Sequence, residues 1–396
     1  MMTNKKEPEI RFKGFEEEWK EENFNSLIAF ASEGGTPNTI NEHYYKNGTI
    51  PFIKIEETKN KYIYSSKTYI TDLGLNNSSA WIIPVNSIIL TNGATIGNIS
   101  INKIKISTKQ GILGIIPSNI MDIEFFYYVL KNNTFQKALQ SLATTGTFSS
   151  IKLPAIKMID LKIPNINEQQ KIGSLLSNID TLITSQELKL QKLQTIKQSL
   201  LDKIFASHNE RVPKIRFKGF EEEWKENKIK YLFEITRGEV LSQNKIQKYS
   251  NSFYIYPVYS SQTMKKGLMG YYYNYLFENC ITWTTDGANA GTVMYRDEKF
   301  YCTNVCGVLK QYKLTPNRCL AESLSNIANN YVTRNGNPKL MNNTISEIEI
   351  QYPESDIEQG KISTLLNNLD SLITWQEFKI EKLNNIKKSL LDKMFC

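Results

Sequence analysis

A chain of 396 residues, 40% of them apolar, can bury two or three cores, and its 48 Lys and Arg against 40 Asp and Glu give a net charge of +8. No run of about 18 apolar residues occurs and the opening MMTNKKEPEI has no apolar stretch, so neither a membrane span nor a standard export signal is expected, and the cytoplasm is the expected compartment. Five cysteines, all in the second half, and two remote histidines argue for reduced thiols and against a disulfide frame or a metal site, while the basic balance leans towards a polyanionic partner.

The chain opens with a head segment, PEIRFKGFEEEWKE (Pro8 to Glu21), in which Phe12, Phe15 and Trp19 are expected to pack and the acidic run to face solvent. Short β-branched and aromatic runs follow, bounded by Gly, Asn and Pro: TIPFIKI (Thr49 to Ile55), KYIYSS, WIIPVNSIIL (Trp81 to Leu90), GNISINKIKIS and GILGIIP. These predict strands. One helix is expected over Met121 to Ala143, then an extended piece, KMIDLKIPNIN, leading into a long helix from Glu168 to Ala206. After the polar connector SHNERV the head returns as PKIRFKGFEEEWKE (Pro213 to Glu226) with one change. A second middle follows, with strands at FYIYPVY, NCITWTT, GTVMYRD and CTNVCGVLK, a helix at ESLSNIANNYV, and the closing piece ISEIEIQYPES. The last element, Glu358 to Cys396, repeats the long helix 190 residues on without a gap.

Both copies keep a 3-4 apolar spacing. Ile172, Leu176, Ile179, Ile183, Leu190 and Leu193 form one seam, and Ile362, Leu366, Leu369, Ile373, Ile380 and Leu383 form the other. Gln186 and Gln376 interrupt the seams at the same step, as a register-fixing polar residue does. A pair of core helices in an ordinary domain is the plainer reading. The length favours an antiparallel spacer in which each copy covers the other.

The expected fold is mixed: two α/β domains (1–167 and 207–357) separated by two long antiparallel coiled-coil helices (168–206 and 358–396), an internal tandem repeat with pseudo-two-fold symmetry. Near-identical ends enclose unlike middles. The ends share a job, and the middles do different ones.

Catalytic constellations are missing. The glycine turns TNGATIGN (Thr91 to Asn98) and TDGANAGT (Thr285 to Thr292) match neither the phosphate loop nor the dinucleotide GxGxxG, and read most simply as tight strand connections. No Pro-Pro pair is present for an adenine methyltransferase loop of the Asn/Asp-Pro-Pro-Tyr/Phe kind.

The double EQxKI…LLxxxDxLI…KxxLLDKxF helix, the RFKGFEEEW head, GGTPNT (Gly34 to Thr39) and the TTGTF…L segment together resemble the specificity subunit of type I restriction–modification systems. The resemblance runs over essentially the whole chain; one departure is VTRNGNPKLMNNTI in the second half, where the first reads ATTGTFSSIKLPAI. It implies two target-recognition domains that each read one half of a bipartite, asymmetric site in double-stranded DNA. It implies helices that set the gap and dock two methyltransferase subunits, with restriction–translocase subunits joining later. It implies no catalysis and no cofactor in this chain: S-adenosylmethionine, ATP and Mg would be used by the partners. A non-catalytic scaffold with two globular heads that bind protein partners is the competing class.

Between Glu22 and Asn165 there are thirteen Lys and no Arg, so the Arg–guanine fork is closed to the first middle. Lys54, Thr91, Asn92, Lys109 and Thr147 flank its turns at strand ends and are its candidate DNA contacts. In the second middle the candidates are Arg237, Ser260, Ser261, Gln262, Asn289, Arg334 and Lys339. The YYYNY run (Tyr271 to Tyr275) fits either strand-face packing or stacking contacts.

Overall fold

In the computed structural model the described residues are 7–143, 150–206, 210–261 and 264–395. The chain forms two compact units, Met1–Glu187 with Phe378–Cys396, and Leu188–Glu377. The long helices span Ile166–Ile204 and Asp356–Lys393, so each begins in one unit and ends in the other. At 1.5 Å per residue each is about 58 Å long.

The first unit starts with β1 (Lys20–Asn23) and β2 (Ile28–Glu33). β3 (Ile50–Ile53), β4 (Tyr62–Ile63) and β5 (Tyr69–Ile70) follow. Then come β6 (Ile88–Thr91), β7 (Ile99–Asn102), β8 (Ser107–Thr108), β9 (Ile112–Pro117) and β10 (Asp160–Ile163). A five-stranded sheet runs β2-β9-β6-β7-β4 and a three-stranded one β5-β3-β8. The run from Trp81 to Leu90 is extended as a strand only at its end; Pro84 lacks the N–H a ladder needs, and only a bridge from Ile83 to Ile106 precedes β6.

The helix expected over Met121 to Ala143 is two helices, Ile123–Lys131 and Asn133–Ser141. Asn132 breaks it. Its side chain accepts from Thr134 N at 2.8 Å as an N-cap, and its Nδ2 donates to Leu391 O at 3.0 Å on the second long helix. The break is thus a local capping signal, and the same side chain also makes a tertiary contact with a helix end more than 250 residues away.

In the second unit β11 (Lys225–Lys228) and β12 (Phe233–Arg237) are followed by β13 (Tyr256–Tyr259) and β14 (Leu268–Tyr272). β15 (Phe277–Thr284), β16 (Val293–Cys302), β17 (Cys306–Gln311) and β18 (Glu349–Tyr352) complete it. Its six-stranded sheet is ordered β12-β17-β15-β16-β13-β14. The helix Arg318–Ala328 buries Leu320 and Leu324 beside Ile281 and Leu309. Cys280, Cys302, Cys306 and Cys319 are buried free thiols.

Both units close alike. The strand after the head pairs with the strand before the long helix, β1 with β10 and β11 with β18, antiparallel. Trp19 is buried edge-on against Phe395, and Trp224 against Phe205, with ring centroids 6.2 and 5.9 Å apart. Each head is also held by its backbone to the end of a long helix: Ile10 N donates to Lys393 O at 3.0 Å, and Ile215 N to Lys203 O at 2.9 Å. The acidic runs Glu16–Glu18 and Glu221–Glu223 face solvent as expected.

Candidate nucleic-acid interface

The repeated EQ dipeptide explains itself in the structure. Glu168 and Glu358 are almost wholly buried, and each accepts a two-pronged bond from the Arg of a head. Arg11 donates through Nε and Nη2 at 2.8 and 2.9 Å, and Arg216 through the same atoms at 2.7 and 2.9 Å. The carboxylate–guanidinium bond holds the Arg216 cation above its ordinary range. Gln169 accepts from Asp122 N and donates to the carbonyls of Ile120 and Pro164; Gln359 accepts from Asn317 Nδ2 and donates to Pro353 O. Each pair thus fixes an α/β domain to the first turn of a helix.

Within each unit the long helices run antiparallel. Asp180 pairs with Lys387 at 2.5 Å in the first unit, and Asp370 pairs with Lys197 in the second. These aspartates also bind the domains, Asp180 through Tyr128 Oη at 2.5 Å and Lys61, and Asp370 through Arg318 at 3.2 Å. Burial and the Asp180 carboxylate push the Tyr128 phenol far up from its usual value, so it stays a donor. The expected seam residues are all buried or half-buried: Ile172, Leu176, Ile183, Ile362, Leu366 and Gln376 are buried, and Ile179, Gln186, Leu190, Leu193, Leu369, Ile373, Ile380 and Leu383 half-buried. Leu182, Phe378 and Ile386 in one unit, and Leu188, Ile196, Leu372 and Trp375 in the other, remain exposed.

The loops at the strand ends differ in sequence between the two units. In the first unit β3 and β8 are parallel neighbours, Ile53 beside Thr108, so the next residues, Lys54 and Lys109, come together. They line an open cleft of about 400 Å³ with Thr36, Thr39 and Tyr45. Gly34 permits this, since a Cβ there would lie 2.1 Å from Thr108 O. Thr36 and Thr39 were signalled by GGTPNT, although turn position alone did not select them.

Thr91 and Asn92 do not belong to that surface. Thr91 is buried, and its Oγ1 accepts from Asn98 N at 2.9 Å; buried Asn92 donates through Nδ2 to Ile151 O at 2.9 Å. Both serve the glycine turn, and such committed interior groups cannot also reach a groove. Thr147 lies outside the described residues, as does Gln262.

The second unit repeats the turn. Thr284 N donates to Thr292 O and Gly291 N to Thr284 O, as Thr91 N does to Asn98 O and Gly97 N to Thr91 O. Gly97 and Gly291 take φ of +93° and +85°. Gly291→Ala would strain the left-handed backbone by about 1–2 kcal/mol, and its Cβ would meet Val332 Cγ2 at 2.7 Å. Thermal unfolding should report that loss, and an unchanged midpoint would contradict it. The segments that diverge in sequence also align: Ile151 N donates to Asn92 O and Leu340 N to Thr285 O.

Around this turn the structure gathers Ser260, Ser261 and Asn289. Ser260 Oγ lies 2.9 Å from Thr303 Oγ1, and Asn289 Nδ2 donates to Ser261 O at 3.3 Å. Lys339 pairs by backbone with Thr333 and Asp286, leaving its ammonium half-exposed 4.0 Å from Asp286. Arg334 is exposed and donates to Asn329 Oδ1 at 2.9 Å. Arg237 is half-buried, its Nε donating to Asn342 Oδ1 at 3.4 Å, so it braces the loop behind Lys339. Arg296 is buried against Tyr259, 3.5 Å above the ring, and donates to Lys266 O at 2.6 Å.

The sequence matches the family described as the type I restriction modification DNA specificity domain over residues 16–198 and again over 221–385. The chain belongs to that family. A type I restriction enzyme specificity subunit of Methanocaldococcus jannaschii is 33% identical over 181 residues, 45% of this chain and 42% of that one. A putative type I specificity subunit of Mycoplasma pneumoniae is 40% identical over 149 residues, 35% of this chain and 74% of that one. A specificity subunit of Escherichia coli is 28% identical over 180 residues, 44% of each chain. The alignments with the first and third thus span less than half of those relatives. The crystal structure of a type I restriction–modification S subunit from M. genitalium has the same fold, with a TM-score of 0.69 over 98% of this chain and 99% of that one at 16% identity. The two family matches coincide with the two head-to-helix repeats. No described helix is long and apolar enough to cross a membrane, and the described residues hold no group of three potential metal ligands.

Proposed function

We propose that this chain is the DNA-recognition subunit of a type I restriction–modification complex, each unit reading one half of a bipartite, asymmetric site. One observation carries the reading: two recognition domains are clamped to the helices by the same Arg–Glu pair and present unlike loops, Lys54 and Lys109 in one, Arg334, Lys339 and Asn289 in the other. A shared frame with different surfaces is what independent half-site reading needs. The long helices set the gap between half-sites. Their exposed rows of Leu, Ile, Phe and Trp supply apolar faces on which two methyltransferase subunits dock by helix packing, with restriction subunits joining the assembly. S-adenosylmethionine, ATP and Mg are bound and used by those partners, and this chain contributes specificity without catalysis.

Methylome sequencing of the host with and without the gene tests this directly. A split adenine-methylated motif that vanishes with the gene is the expected result; an unchanged methylome refutes the reading. A second test uses salt. Lys54→Ala and Lys109→Ala should each lower the slope of log K against log salt by about 1, while leaving the motif intact if they contact phosphates. A protein-binding scaffold would show no such slope.

A further inference from the structure

The second unit carries exposed aromatic rings to which the half-site reading proposed above assigns no role. Between Glu239 and Glu278 the sequence has no Asp, Glu or Arg, but it has four Lys and ten Phe or Tyr. Its described residues include β13 and β14, the last pair of the six-stranded sheet. Tyr272 is buried there, but Tyr249, Phe253 and Tyr273 are 73%, 61% and 49% exposed. In the YYYNY run Tyr271 is half-buried and Tyr272 buried, and Tyr273, just past the end of β14, packs on Tyr272 with ring centroids 4.3 Å apart while about half of it stays exposed.

The exposed rings are organised. Phe253 stacks on Tyr273 with centroids 5.4 Å apart and planes 30° apart, and Tyr254 meets both edge-on at 5.3 and 6.2 Å. Asn251 Oδ1 accepts from the backbone N–H groups of Phe253 and Tyr254 at 2.9 and 2.8 Å, which fixes the loop that presents Phe253. Tyr275 packs on Tyr256 at 5.0 Å. Lysine ammonium groups lie over the rings, Lys299 at 4.8 Å from Tyr275 and Lys248 at 5.4 Å from Tyr249. Of the nearby carboxylates, Glu298 is held by the Tyr259 hydroxyl at 2.5 Å, and Glu278 lies opposite Lys299 in the β15–β16 register.

We propose that this aromatic–lysine platform binds single-stranded nucleic acid by stacking unpaired bases on Phe253 and Tyr273, with the lysines placed for the phosphates. Protein interfaces deplete Lys while favouring aromatics, Met and Arg, whereas strand-binding surfaces combine stacking rings with cations such as Lys. Inside a duplex each base face is already covered by the next pair and opening it costs unstacking, so the rings favour an unpaired ligand. The pre-set ring pair lowers the ordering cost of binding.

The test uses the full chain with labelled dT12, rU12 and blunt dA12·dT12 at about 0.1 M salt. Phe253→Ser/Tyr273→Ser should weaken single-strand binding at least about tenfold and change duplex binding less than twofold, with an unaltered circular dichroism spectrum because both residues are exposed. Binding of dT12, rU12 or both, lost in the double variant, supports the platform and identifies the sugar it accepts. Equal losses for single strand and duplex, unchanged single-strand binding in the variant, or no single-strand binding by the wild type would each overturn it. A host methylome that keeps its split motif in the variant separates this outcome from failure of half-site reading.

Discussion

Arg216→Met should destabilise the second unit by about 3–5 kcal/mol, because it strands a carboxylate that the fold has taken out of water. The side chain of Glu358 is 1% exposed, and both its oxygens accept from Arg216. No solvent reaches it to replace the lost donors. Arg216→Met/Glu358→Leu should recover most of the loss, since a buried ion pair is close to energetically neutral against apolar residues of similar size. Amide hydrogen exchange in β11 and β18 gives a local reading of the effect. If the single variant protects those strands as well as the wild type, the clamp is not what seats the domain. Arg11→Met should act likewise on β1 and β10 through Glu168.

Trp19→Ala should cost the first unit about 3–5 kcal/mol. The indole is 4% exposed and packs edge-on against Phe125 and Phe395, joining the head, the first domain and the end of the second long helix. Its N–H has no acceptor among the described residues, so Trp19→Phe should lose only volume and fall well short of the alanine effect. Urea unfolding followed by amide exchange in β1 measures both. Equal losses for Phe and Ala would mean that the indole nitrogen, rather than packing, holds the site.

The sequence carried the repeat, the long helices to within about two residues at the start, and the seam, because each depends on local periodicity or copied segments. It carried Lys54 and Lys109 as candidates but not their meeting, which arises only when β3 and β8 become parallel neighbours. It also misplaced Thr91 and Asn92 on the surface. Polar residues at a strand end look the same in sequence whether they face water or, as here, bond across to Asn98 and Ile151.

The amino-acid order by itself therefore determined that this protein is one frame written twice around two different middles. The tertiary structure alone decided what the copied residues are for: Glu168 meets Arg11, and Glu358 meets Arg216, across more than 140 residues. The reason is physical. Helical period and strand alternation are properties of neighbours along the chain, whereas burial of a charge and the partner that neutralises it depend on which distant segments the core brings together.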